Sequence, residues 1–188
     1  DEYDFIFLVL NEPSIPDGMG YYGMLIGVSN AIEGTGQSNY NYSSDFGSEG
    51  KLKAVMQLTG LSYLQSGPSL HELMHNWGNF GFETHSVDQL GDNITSYPYW
   101  GHWGFTGGST KGQLGGFEQS TLVELKDSSY SVAPFGPFAN GGNGVPYNEL
   151  ELYLMGMAPL SSVSPFDLFS DITRWSGTET TYEFTANS

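Results

Sequence analysis

The stretch Ser69-Leu70-His71-Glu72-Leu73-Met74-His75-Asn76-Trp77-Gly78 constrains this 188-residue chain more than any other. At about 100° per residue, with His71 at zero, His75 falls near 40°, Gly78 near 340° and Glu72 near 100°. Leu70, Leu73, Met74 and Trp77 all fall between about 200° and 300°. One arc therefore carries two imidazoles and a glycine, with a carboxylate at its rim, and the other carries four large apolar groups. Such a segment predicts an amphipathic helix over 69–79, with its apolar arc in a core and both imidazoles turned to one point. Pro68 and the pattern Ser69-x-x-Glu72 predict its start by a capping box, with Ser66 an equally good first residue.

Two histidines four apart on a helix can reach one cation, and zinc accepts imidazole nitrogen at about 2.0–2.1 Å in tetrahedral geometry. Glu72 lies beside that point, too far round to ligate easily and well placed to accept a proton from water on the metal. With four histidines in 188 residues, composition alone produces H-E-x-x-H somewhere in such a chain with a probability of roughly 0.5%. The plain alternative is two solvated histidines on an exposed helix face.

A catalytic zinc takes three protein ligands and keeps one position open. The other histidines are His85 and His102. His102 sits in Tyr97-Pro98-Tyr99-Trp100-Gly101-His102-Trp103-Gly104-Phe105, a partly dry setting that favours the neutral imidazole a metal requires. His102 is accordingly the expected third ligand. His85, in Glu83-Thr84-His85-Ser86, and the acids Glu83, Asp88, Asp92 and Glu118 remain alternatives.

Composition narrows the partners. The net charge is −16, and the only cations are Lys51, Lys53, Lys111, Lys126 and Arg174, so the surface repels phosphate backbones and nucleic acid is excluded. There is no cysteine, which rules out disulfides and thiolate metal sites. No run reaches the roughly 18 apolar residues of a membrane span. The start, DEYDFIFLVL, reads as a strand already under way in a domain trimmed of upstream sequence.

Along the chain, Phe5 to Leu10 reads as a buried strand. Tyr21 to Val28 reads as a second, in which Gly23 and Gly27 mark bulges or close backbone approach. Residues 30–50 read as a long polar loop, and Leu52 to Leu58 as a short strand or helix. Residues 82–120 read as loops with aromatic clusters, and 121–140 as short strands and turns. Asn148 to Met155 reads as a helix stopped by Gly156 and Pro159. Ser164-Pro165 reads as the opening of another short helix, with Asp167 in its first turn, and 176–188 as a strand with a frayed tail.

On these residues the chain resembles the zincin metallopeptidases. Three stretches, HELMHNW (71–77), HWGFTGGSTKGQLGGF (102–117) and YNELELYLMG (147–156), also resemble a little-characterised group of bacterial secreted zincins. The likeness covers roughly His71 to Pro159. It implies an α+β, zincin-like fold with a small mixed sheet packed on the active-site helix and a loop-rich C-terminal lobe. It also implies one catalytic domain over 1–188, with lobes dividing near residue 80. The chain departs from the metzincin pattern H-E-x-x-H-x-x-G-x-x-H, since His71, Glu72, His75 and Gly78 match but the third ligand position falls on Gly81. It departs from the thermolysin-like pattern because SVDQLGDNITS holds no glutamate.

The resemblance carries His71, His75 and His102 over as zinc ligands and Glu72 as general base of a secreted, monomeric bacterial endopeptidase acting on protein or peptide. Tyr147, Tyr153 and Tyr99 are candidates to hold the oxyanion. Met155-Gly156-Met157-Ala158-Pro159 could form a methionine turn beneath the metal, or simply a Met-filled helix end. In zincins the substrate pairs with a sheet edge beside the active helix, which here points to Tyr21 to Val28. Calcium is a further expectation, with oxygens from Asp45 and Glu49 or from Asp88 and Asp92. The competing expectation is a non-enzymatic protein- or glycan-binding module on the same frame, and retention of Glu72 argues for the enzyme.

Overall fold

The computed structural model describes residues 2–11, 14–15, 17–18, 22–33, 38–78, 85–86, 95–96, 112–133, 145–177 and 182–187. Within them the chain is α+β, with small sheets and few helices. Its first apolar run forms β1 (Phe5–Val9), and the glycine-bearing run forms β2 (Gly23–Gly27). The polar stretch that follows is not all loop. It pairs β3 (Ser29–Asn30) with β4 (Tyr40–Asn41) and adds a 3-10 turn at Ser43–Phe46. The ambiguous segment is a strand, β5 (Ala54–Leu58), which β1 joins in parallel and β2 antiparallel, in the order β1-β5-β2.

This mixed sheet has one well-buried face. Ala54, Met56 and Leu58 are fully buried and lie opposite Gly27, Leu25 and Gly23 in register. Directly opposed residues share a face. β1 departs from the expectation of a buried strand, since Ile6, Phe7 and Leu8 are exposed. It lies at the end of the sheet, where a strand has one neighbour and half its surface uncovered.

After α1 (Tyr63–Ser66) comes α2 (Ser69–Gly78), the helix the histidine spacing predicts. It packs on β2 and β5, and Trp77 meets Phe5 with ring centroids 5.6 Å apart. The capping box is absent. The Glu72 N–H that the serine would cap donates to the Pro68 carbonyl at 2.7 Å, since α2 already begins at Ser69, and Ser69 Oγ donates to the Leu64 carbonyl at 2.9 Å. The split into a wet and a dry arc also fails in part. Leu70 is exposed, whereas His71, Glu72 and Asn76 are buried, because α2 is covered from more than one side.

The short strands β6 (His85–Ser86) and β7 (Thr95–Ser96) pair with each other. Further on, β8 (Val123–Glu124) and β9 (Ser129–Val132) form a hairpin. α3 (Glu149–Leu154) follows, with Asn148 as its cap in a full capping box with Glu151. β10 (Ser170–Gly177) and β11 (Tyr182–Asn187) complete a four-stranded antiparallel sheet ordered β10-β11-β9-β8. Phe117, Tyr130, Phe169 and Phe184 stack into the core beneath it. The strand expected within 176–188 is β11, and it pairs with β10 before it. No helix opens at Ser164-Pro165, and a 3-10 turn at Leu160–Ser162 precedes it. Asp167 is instead clasped by Gln119, which accepts from its N–H at 3.0 Å and donates to its carboxylate at 2.6 Å.

Met74, Leu114 and Leu150 form a second core joining α2, the 112–117 segment and α3, with Trp77, Tyr147 and Met155 packed around it. No helix among the described residues is long and apolar enough to cross a membrane.

Candidate metal centre

Helical spacing brings His71 and His75 together. Their Nε2 atoms lie 3.2 Å apart, and their rings stand edge to face at 90° with centroids 4.7 Å apart. Two nitrogens bound to one tetrahedral zinc at its usual bond length would sit roughly 3.3 Å apart. The separation therefore suits a shared cation as it stands.

His71 is set for that role by its other nitrogen. Nδ1 lies 2.5 Å from the main-chain carbonyl of Gln113. A carbonyl can only accept, so Nδ1 carries the hydrogen and neutral His71 keeps a lone pair on Nε2. Burial lowers the His71 pKa, opposed by the Gln113 bond, and so favours this uncharged form. Without metal, the 3.2 Å contact is a hydrogen bond that His75 Nε2–H donates to His71.

Glu72 is 8% exposed. Burial raises its carboxyl to about 7, countered by a hydrogen bond from the Leu25 main chain. The origin of that bond can be traced. Val28 N–H donates to Lys53 O and Tyr22 O accepts from Thr59 N–H, so the even-numbered residues of β2 turn their polar groups toward β5. By alternation the odd-numbered ones, Leu25 among them, turn theirs to the outer edge. Glu72 thus reaches round to the edge of β2. Gly23 permits the approach, because a Cβ there would lie 2.7 Å from Pro68 Cγ and 3.0 Å from Glu72 Cγ.

The remaining expectations divide. His102, Glu83, Asp88, Asp92, Gly81 and Tyr99 lie outside the described residues, as does the side chain of His85. Among the described residues no three His, Asp or Glu side chains gather at one point. Glu118 instead accepts from Ser120 Oγ. Asp45 and Glu49 are both exposed. The Tyr147 hydroxyl donates to the Leu70 carbonyl at 2.8 Å, which commits it to α2, and burial followed by the nearby Glu151 charge raises its pKa. Tyr153 is partly exposed on α3. Met155 packs into the core as the end of α3, whereas Met157 is exposed.

Sequence reasoning missed three partners: the Gln113 carbonyl, the Leu25 N–H and Glu151. Only Glu151 left a signal, the Asn148-x-x-Glu151 capping pattern. The chain matches no protein-family model. Comparison with curated proteins and with solved structures likewise gives no match.

Proposed function

We propose that the chain is a zinc-dependent endopeptidase with a zincin-like fold, in which His71 and His75 hold the metal and Glu72 is the general base. One observation carries the reading: two imidazole nitrogens 3.2 Å apart, one stripped of its proton by a fixed tautomer, next in sequence to a buried carboxylate. His102 is proposed as third ligand on the strength of its sequence setting. Bound zinc would supply Lewis acidity to a water and to the scissile carbonyl. Glu72 would take the proton from the attacking water and return it to the leaving amine. In the metal-free chain burial raises this carboxyl to about 7, and a cation bound beside it would draw the value down and favour the ionised base that the step needs.

The outer edge of β2 supports a peptide substrate. An extended chain pairing there would run past Glu72, which already touches that edge at Leu25. A secreted bacterial protein acting on extracellular polypeptides fits the acidic, cysteine-free composition.

The test is metal content by mass spectrometry, with cleavage of casein or gelatin before and after chelation. Glu72→Gln should keep zinc at wild-type stoichiometry and lose about 10²–10⁴ in turnover. A variant that cleaves normally would remove Glu72 from the mechanism, and a wild-type chain that takes up no zinc would remove the proposal altogether.

A further inference from the structure

We infer that Glu151 is a positioning residue for His71, acting through the backbone turn at 112–115. The inference rests on the proposed zinc reading for its functional meaning, but its geometry stands independently. The partner of His71 Nδ1 is a main-chain carbonyl, that of Gln113, so its direction depends on how the turn is held. The turn closes on itself through Gly112 N–H to Gly115 O at 3.1 Å, with Gly115 in the left-handed region at φ 112°. It is then gripped from outside by one carboxylate. Glu151 Oε1 accepts from Leu114 N–H at 2.9 Å, and Gln113 N–H also bonds to the carboxylate. Glu151 Oε2 accepts from Asn148 N–H at 3.0 Å.

A capping box needs only the last of these bonds. The carboxylate also takes the Gln113 and Leu114 N–H groups, which bracket the residue whose carbonyl meets His71. Glu151 is 0% exposed, and a carboxylate in that position carries a desolvation cost that an apolar side chain would avoid. Its grip on the turn is tight, since a Cβ on Gly112 would lie 2.5 Å from Glu151 Oε2 and 2.6 Å from Asn148 Nδ2. Glu151 thus fixes the turn, the turn aims the carbonyl, and the carbonyl keeps the hydrogen of His71 on Nδ1. Groups that orient a ligating histidine in this way are typically worth about 10–100-fold in metal affinity.

The experiment uses the full chain in metal-stripped form with ¹⁵N-labelled histidine. Long-range ¹H–¹⁵N correlation reads the His71 tautomer, and competition with a chromophoric chelator reads zinc affinity. Wild type should show the Nδ1–H form. Glu151→Gln should show a tautomer mixture and about 10–100-fold weaker zinc binding. Leu52→Ala, in the separate core it forms with Val28 and Val55, should lose melting temperature and keep both readings. An unchanged tautomer in Glu151→Gln, or an equal loss of zinc affinity in Leu52→Ala, overturns the inference. Should Glu151→Gln fail to fold, Gly112→Ala presses on the same contact and is read in the same way. Failure of both to fold leaves Glu151 a scaffold residue and overturns it as well. A wild-type chain that binds no zinc sinks the proposed function, and the tautomer comparison then decides the positioning role by itself.

Discussion

Among single residues, those fixed by helical spacing were the legible ones. His71, Glu72 and His75 fall where a helix must put them, so their proximity followed from sequence. Their partners did not, because the Gln113 carbonyl and the Leu25 N–H are backbone groups that every residue carries. The Glu72 carboxyl, raised to about 7 from an ordinary 4.5, makes a prediction of definite sign. A group whose folded pKa is raised stabilises fully below its unfolded value, and that contribution is lost as pH rises through the folded one. In metal-free protein, Glu72→Gln should match wild type near pH 4.5 and become the more stable by on the order of 2–3 kcal/mol above about pH 7.5. Titration of His71 is common to both proteins and cancels in the difference. Urea melts across that range check this, and a gap that closes with rising pH would contradict it. Gly23→Ala brings a methyl group against Pro68 and Glu72. It should cost about 1–3 kcal/mol by overpacking and reduce turnover more than a surface substitution of equal stability cost, measured as kcat beside Tm.

Elements were legible where their signals are local. α2 followed from periodicity, and α3 from its stop at Gly156 and Pro159. Ser69 misled because α2 begins one residue earlier than the S-x-x-E letters imply, and the Glu72 N–H it would have capped goes to the Pro68 carbonyl at 2.7 Å. The helix expected at Ser164-Pro165 lost to Gln119, a partner 48 residues away that no local pattern announces. The β8–β9 hairpin suggests a stabilising change. Its turn holds Asp127 at φ 59° and Ser128 at φ 56°, a left-handed pair that costs L-residues roughly 1–2 kcal/mol each. Replacing the pair by Asn-Gly, the preferred residues for such turns, should raise stability by about 1 kcal/mol in thermal melts while leaving zinc content unchanged.

For the whole molecule, the α+β class and a mixed sheet packed on α2 were implied by the resemblance, and the apolar runs announced only the individual strands. The four-stranded sheet was not legible, because β9 pairs with β11 across some fifty residues of intervening chain, and strand pairing over that distance has no local signature. A net charge of −16 places the folded chain under self-repulsion. Added sodium chloride should therefore raise the melting temperature as the repulsion is screened. Zinc at about 100 times its dissociation constant should add about 2.7 kcal/mol more, reversibly removed by chelator. A melting curve indifferent to zinc in both wild type and Glu72→Gln would count against the metal centre. The outer margin of β2 has a last consequence. Exposed strand margins are adhesive, and this one has its middle amide already answered by an acid from the neighbouring helix. On the proposed function, a polypeptide pairing there would have to offer that amide a carbonyl in exchange, and would release the acid toward the water in the same movement.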